Sequence, residues 1–283
     1  MEKMKRILFI YIIGFIACMD AAAQVTFQHA DSVMVCQLLA KAPQEANTLW
    51  FARQFLGVPY VAATLEVNND ERLVVNTRQL DCTTLVETAT ALALCVQRGQ
   101  RSWNNYLSVL KMLRYRQGRL EGYTSRLHYF SDWIRDKEQM GIVFEVQKPY
   151  TVFSAVQRVK ASYMSTHPKN YRALREHPEW ISIIRQQEQS LTGCVRRFIP
   201  KSAIRNTRLL RHSIHDGDII AITCNKPGLE IAHLGFAVWQ KDGLHLLNAS
   251  QLHKRVVEEP MTLYQYLQKH PSHTGIRVVR LVQ

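Results

Sequence analysis

The run Leu80-Asp81-Cys82-Thr83-Thr84-Leu85-Val86-Glu87-Thr88-Ala89 sets a cysteine at the start of a helix. Leu85, Val86, Ala89, Leu92, Ala93 and Val96 recur at helical spacing, the pattern of a helix that buries an apolar face. Asp81 supplies an N-cap oxygen, and Arg98-Gly99 a stop. The first turn of a helix carries unpaired N–H groups and the positive dipole end, which favour a thiolate, the nucleophilic form of cysteine. A lone cysteine so placed is more often an ordinary buried side chain. It becomes a nucleophile only if the rest of the chain supplies a base and a binding site.

The basic start Met1-Glu2-Lys3-Met4-Lys5-Arg6, the apolar stretch Ile7 to Met19 and the small residues Ala21-Ala22-Ala23 read as a secretory signal peptide over 1–23. The apolar stretch is too short to span a bilayer comfortably, and no later segment is long and apolar enough to do so. A lipoprotein signal modified at Cys18 is the second reading, with Phe15 as the residue that fits it poorly. Without the leader, 33 Lys and Arg oppose 21 Asp and Glu, a net charge of +12. That balance suits an anionic partner such as cell-wall polymer, membrane surface or nucleic acid, and does not choose among them. Five cysteines remain in residues 24–283, so an exported chain keeps at least one thiol unpaired. Cys82 and Cys95 on one helix lie roughly 20 Å apart and cannot pair. No CxxC or HExxH motif is present, so a zinc site is not expected.

The remainder reads as helices first and strands later, an α+β order. Residues 31–56 read as helix with a break near Pro43, ending in the turn Gly57-Val58-Pro59-Tyr60. Residues 103–117 form an amphipathic helix with a basic flank. Arg126, His128, Tyr129 and Trp133 fall close together in the next segment. They suit a sugar or peptide groove, because aromatic faces stack and a guanidinium grips carboxylates, and they suit a core equally well. His167-Pro168 and His177-Pro178 mark two helix boundaries. Residues 100–215 contain no flexible linker and read as a mostly helical insertion in a single domain over 24–283. Strands follow at Ile219–Ile222, His233–Trp239 and Leu244–Ala249, with further strands at Val256-Val257 and Ile276–Leu281 and a helix near 262–269.

His233 opens a strand and Asn248 lies on the next, a base and its orienter for Cys82 if the fold brings them together. A hairpin turning at Asp242-Gly243 sets Asn248 opposite about Ala237. That leaves a gap of about four residues to His233, on the order of 13 Å. Hairpin geometry alone does not make a triad.

Four segments, in order, resemble the NlpC/P60 cysteine-peptidase superfamily. They are Gly57-Val58-Pro59-Tyr60, Asp81-Cys82-Thr83, Asp216-Gly217-Asp218-Ile219-Ile220, and His233-Leu234-Gly235-Phe236-Ala237-Val238 followed by Leu247-Asn248-Ala249-Ser250. The insertion, Leu56 to Tyr60, Arg126-Leu127-His128-Tyr129 with Trp133-Ile134, and Ala232 to Phe236 resemble one branch, the DUF1460 family described as N-acetylmuramoyl-L-alanine amidase-like. The chain departs from the superfamily pattern in having Thr83-Thr84 after the cysteine and Asn248 where a histidine is common.

The resemblance implies a papain-like fold, with a helical half carrying the nucleophile packed on a curled antiparallel sheet. It implies a periplasmic or secreted, cysteine-dependent amidase that cuts peptidoglycan or its muropeptide fragments between muramic acid and L-alanine. Cys82 attacks, His233 is the base and Asn248 orients it. The Cys82 backbone N–H and Tyr60 stabilise the oxyanion, and Tyr60 and Asp81 count among the substrate-binding residues. Arg126, His128, Tyr129 and Trp133 are the candidate substrate contacts. No metal, no cofactor, no nucleic acid and a monomer are expected. The alternatives are an endopeptidase cutting after γ-D-glutamate and a wall-binding protein without activity.

Overall fold

The computed structural model describes residues 25–147 and 151–282, so the expected leader at 1–23, Cys18 included, lies outside the described residues. The protein is mixed α+β, built on one eight-stranded sheet. Strands β1 (Val25–Thr26) and β2 (Leu73–Val74) pair separately. Helices α1 (His29–Lys41), α2 (Thr48–Arg53), α3 (Cys82–Gln97), α4 (Trp103–Arg114) and α5 (Phe130–Gln139) come early. Within the 100–215 stretch follow β3 (Val143–Glu145), β4 (Ala155–Arg158), α6 (Tyr163–Thr166), α7 (Arg172–Glu176), α8 (Trp180–Leu191), β5 (Val195–Pro200) and α9 (Arg208–Ser213). The last third contributes β6 (Ile219–Cys224), β7 (Ile231–Trp239), β8 (Leu244–Ser250), β9 (Arg255–Glu258), α10 (Leu263–Gln268) and β10 (His273–Leu281).

The main sheet runs β4-β5-β10-β6-β7-β8-β9, all antiparallel, with β3 beside β5 on the same edge of β10. Side chains alternate across it with period two. Ile219, Ala221, Leu234, Phe236, Val238, Leu247 and Ala249 face α1 to α4. Ile220, Ile222, Ala237, Leu244, Leu246 and Ile276 face the other way, onto Leu263 and Leu267 of α10. Both faces are covered, so β6 reads as a continuous apolar run.

Helix α3 is the centre of the helical layer. Every residue from Thr84 to Val96 is buried, so it is apolar all round and not merely on one stripe. Each fully buried Leu or Val contributes about 1.5–3 kcal/mol. The charged exception, Glu87, pairs with Arg114 of α4 at 2.7 Å, and Arg114 also donates to the Val74 carbonyl. Removing either partner would strand a buried charge.

The 100–215 stretch is helical in part and also adds three strands to the sheet. Its α6 to α8 region forms a small core of its own with Tyr123, Tyr129, Met164, Leu174, Ile184 and Leu191. The two His-Pro pairs mark helix ends, with His167 capping α6 and His177 capping α7. Gly217 holds φ +86° in the turn before β6, and an added Cβ would lie 2.7 Å from the Thr48 hydroxyl. That close approach lets Thr48 of α2 donate to the Gly217 carbonyl at 2.5 Å and docks helix to sheet.

Candidate active site

Cys82 is the first residue of α3 and is half-buried. The turn before it is fixed by a capping box. Thr84 N–H donates to the Asp81 carboxylate at 2.8 Å, and Asp81 N–H donates to the Thr84 hydroxyl at 2.9 Å. The second threonine of Asp81-Cys82-Thr83-Thr84 is thereby explained, since its hydroxyl closes the box. Such a cap contributes about 1 kcal/mol and holds the first turn, with Cys82 in it, in place. Asp81 is occupied in this role.

His233 and Asn248 meet although simple hairpin counting kept them apart. The β7–β8 pairing runs Trp239↔Leu244 to Phe236↔Leu247, so the connection has four residues, closed by Gln240 N–H on the Gly243 carbonyl at 2.9 Å. Continuing that register sets Asn248 across from Gly235, not Ala237, which halves the separation from His233. Gly235 completes the approach. A Cβ there would lie 2.6 Å from the Leu247 carbonyl oxygen, so only glycine lets the strands cross this closely. His233 Nε2 then sits 2.9 Å from Asn248 Oδ1.

The next contact orients the amide. Asn248 Nδ2 donates to Glu259 Oε1 at 2.9 Å in a fully buried setting. Oδ1 therefore faces His233, and an amide oxygen only accepts, so His233 carries its hydrogen on Nε2. Nδ1 is left as the basic nitrogen, and His233 lines the same cavity as Cys82. Burial pulls the His233 pKa down, but the Cys82 charge, the bonds to Cys82 and Asn248 and the Glu259 charge outweigh it and raise it above the ordinary imidazole value.

Tyr60 lies near the thiol, bridged to Leu80. Burial first, then the charges of Cys82 and Asp81, raise its pKa, so it stays a donor. His270 and His273 flank His233. Burial keeps both neutral, with His273 pushed down to about 4. His245, on β8, is held by Asp242 at 2.9 Å and by the Glu259 carbonyl at 2.8 Å and does not reach His233.

Cys82 and His233 open onto a cavity of about 220 Å³. His128, Tyr129 and Trp133 line it, together with Phe130, Tyr163 and Tyr171. Trp133 stacks on Phe130 at 5.1 Å, and its buried Nε1 has no partner. His128 Nε2–H donates to the Tyr123 carbonyl at 3.0 Å; burial and the neighbouring Arg126 push its pKa down to about 3, so it is neutral. Tyr129 donates to Glu188 at 2.6 Å and packs α5 on α8. Arg126 is different. Its guanidinium bonds Glu66 and Glu71, each at 2.6 Å, and it is absent from the cavity wall. The expectation that it grips substrate gives way to an internal ion cluster.

Two carboxylates also border the cavity, and both are engaged. Glu87 pairs with Arg114. Glu230 accepts Ser131 N–H at 2.7 Å and the Ser131 hydroxyl, with Arg277 at 3.6 Å. Glu230 thereby caps α5, whose own N-cap residue Tyr129 makes no side-chain cap. Among the described residues, no lysine or arginine lines the cavity. Sequence reasoning missed Glu259, which follows β9 with no motif around it, and Tyr163, Tyr171 and Glu230, which come from segments far apart in sequence.

The family model described as AmiA-like, N-acetylmuramoyl-L-alanine amidase-like, matches residues 50–276. A solved N-acetylmuramoyl-L-alanine amidase from Bacteroides uniformis is 40% identical, with a TM-score of 0.78 over 84% of this chain and 98% of its own. A Bacteroides fragilis protein provisionally named a xylanase is also 40% identical, with a TM-score of 0.76 over 82% and 99%. A Legionella pneumophila protein of the DUF1460 family shares the fold at 20% identity, with a TM-score of 0.68 over 94% and 97%. No curated protein matches the chain. With the family model spanning the Cys82 helix, the His233 strand and the insertion between them, the chain belongs to the N-acetylmuramoyl-L-alanine amidase-like family.

Proposed function

We propose that this protein is a cysteine amidase of the NlpC/P60 type, with a papain-like arrangement, that cleaves the amide between the muramic acid lactyl group and L-alanine. The observation that carries the reading is the directed chain Cys82–His233–Asn248 at the mouth of an aromatic cavity. His233 Nδ1 takes the thiol proton as sulfur attacks the amide carbonyl. The tetrahedral oxyanion is held by the Cys82 backbone N–H and the Tyr60 hydroxyl. Collapse breaks the C–N bond, and the imidazolium gives its proton to the leaving L-alanine amine. Water, deprotonated by His233, then hydrolyses the thioester and restores the thiol.

The cavity chemistry favours the muramoyl substrate over the γ-D-glutamyl one. A γ-D-glutamyl acyl group brings a free α-carboxylate, which wants a cation, and among the described residues the lining contains neither lysine nor arginine. Tyr129, Phe130, Trp133, Tyr163 and Tyr171 instead offer faces and edges suited to a neutral sugar ring. A glycosidase, as the name of the Bacteroides fragilis relative suggests, needs two available carboxylates across the scissile bond. Glu87 and Glu230 are already tied to Arg114 and to Ser131 with Arg277. The basic composition and the leader-like residues 1–23 support export, to the periplasm or beyond, as a monomer acting on cell-wall material. Mass spectrometry of products from a defined muramoyl tetrapeptide tests this. The expected products are the free muramic acid and a peptide with an L-alanine amine. Release of a diamino-acid amine with L-alanine still joined to sugar would overturn it.

A further inference from the structure

Glu259 has a side chain with no accessible surface, yet it stands one contact behind the proposed triad. Its Oε1 accepts Asn248 Nδ2 at 2.9 Å, and its Oε2 lies 3.1 Å from His253 Nε2. The backbone around it is pinned: Glu259 N–H donates to the Leu246 carbonyl at 2.9 Å, and its carbonyl bonds His245 Nδ1 at 2.8 Å. A buried carboxylate is a poor way to stabilise a fold, since an apolar side chain of like size serves as well or better. What this one does that an apolar side chain cannot is choose which end of the Asn248 amide faces His233. It also sets a negative charge in line with the imidazole, beyond the amide.

We propose that Glu259 is a positioning residue of the Cys82 site, fixing the Asn248 amide and favouring the charged form of His233 when the thiolate forms. The proposal rests on the Cys82–His233–Asn248 reading. The groups facing this line are few. On His233 they are Cys82 from α3, and His270 and His273, both neutral. On Glu259 they are His253, His270 and Tyr266, whose phenol burial pushes up to about 12. Glu259 is therefore the carboxylate behind His233, with Asn248 between them and His253 as its outer partner.

The test is alkylation of Cys82 in the full chain by iodoacetamide, in which the thiolate displaces iodide and forms the S–C bond. Labelling is read on the Cys82 peptide by mass spectrometry, which separates it from the exposed Cys36. The readout is the ratio of the rate at pH 6 to that at pH 9.5. At the higher pH the thiol ionises without help, so a purely structural change moves both rates and leaves the ratio alone. Glu259→Gln keeps the size and an acceptor but removes the charge, and the ratio falls about 3- to 10-fold. Glu259→Asp keeps the charge and holds the ratio within about twofold of wild type. A wild-type ratio in Glu259→Gln overturns the proposal. Labelling needs no substrate, so it judges Glu259 even if muramoyl peptides prove the wrong substrate. The catalytic reading fails separately, if Cys82→Ala still hydrolyses them.

Discussion

Removing the Asn248 side chain takes away the acceptor that holds His233 Nε2 and the donor to Glu259 Oε1. Asn248→Ala is expected to lower kcat about 10- to 1000-fold, and His233→Ala to lower it further, because in the proposed mechanism one residue aligns the base and the other is the base. Equal and negligible losses in steady-state kinetics would contradict that order. Arg126 belongs to a different account. Its side chain is 10% exposed and bonded to Glu66 and Glu71, so Arg126→Ala strands two carboxylates. The expected cost is about 3–5 kcal/mol, which lowers Tm by roughly 10 °C. At temperatures well below Tm, kcat/KM stays within about twofold, since the change corresponds to well under 1 kcal/mol in the transition state. A large rise in KM with an unchanged Tm would return Arg126 to the site. In the sequence, Arg126 and His128 looked alike as polar groups near aromatics. Their fates differ because Glu66 and Glu71 arrive from a distant loop, and no local pattern announces that.

Among the elements, the strands of the last third and α3 were legible because apolar periodicity and turn residues carry them. The register of the β7–β8 hairpin was not. Asp242-Gly243 suggested a two-residue turn, whereas Gln240 and Lys241 also belong to the connection, and the pairing shifts by two residues. Strands β3 to β5 were hidden because they are short and their sequences, such as Val195-Arg196-Arg197-Phe198, break the apolar alternation. They are held partly by charge. Arg277 of β10 and Glu145 of β3 pair with no side-chain exposure, and Arg277 also donates to the Ser131 hydroxyl of α5 at 2.6 Å. Arg277→Ala should cost about 3–5 kcal/mol in urea unfolding, because Glu145 Oε1 loses its fully buried partner and only Oε2 keeps Arg196 at 3.5 Å and Gln147 at 3.2 Å. A change below about 1 kcal/mol would mean that this cluster does not join the insertion to the sheet.

At the scale of the whole molecule, the motif residues come from both halves of the fold and meet only after folding. Asp81-Cys82 is on the helical layer, His233 and Asn248 are on the sheet, and the cavity wall comes from the insertion. The segments were readable one by one, but the Glu259 contact and the engagement of Glu87 and Glu230 were not, because each depends on packing between remote elements. The same packing sets acid stability. His128 is held down to about 3 and His273 to about 4 in the folded state, below their ordinary values, mainly by burial. Their unfolded forms take up protons first, so the stability they contribute is intact above about pH 6.5 and declines as pH falls below it. Urea midpoints should therefore drop from pH 7 to pH 5, and His128→Gln should flatten that slope. A midpoint independent of pH in this window would contradict the buried neutral state.

The central claim is that one thiol does the chemistry. Turnover of a muramoyl-L-alanyl peptide by Cys82→Ala, measured beside the wild type, tests it most directly. The account predicts no hydrolysis above background, with a Tm close to that of wild type because Cys82 is only half-buried at the helix start. Wild-type turnover in the variant would contradict it.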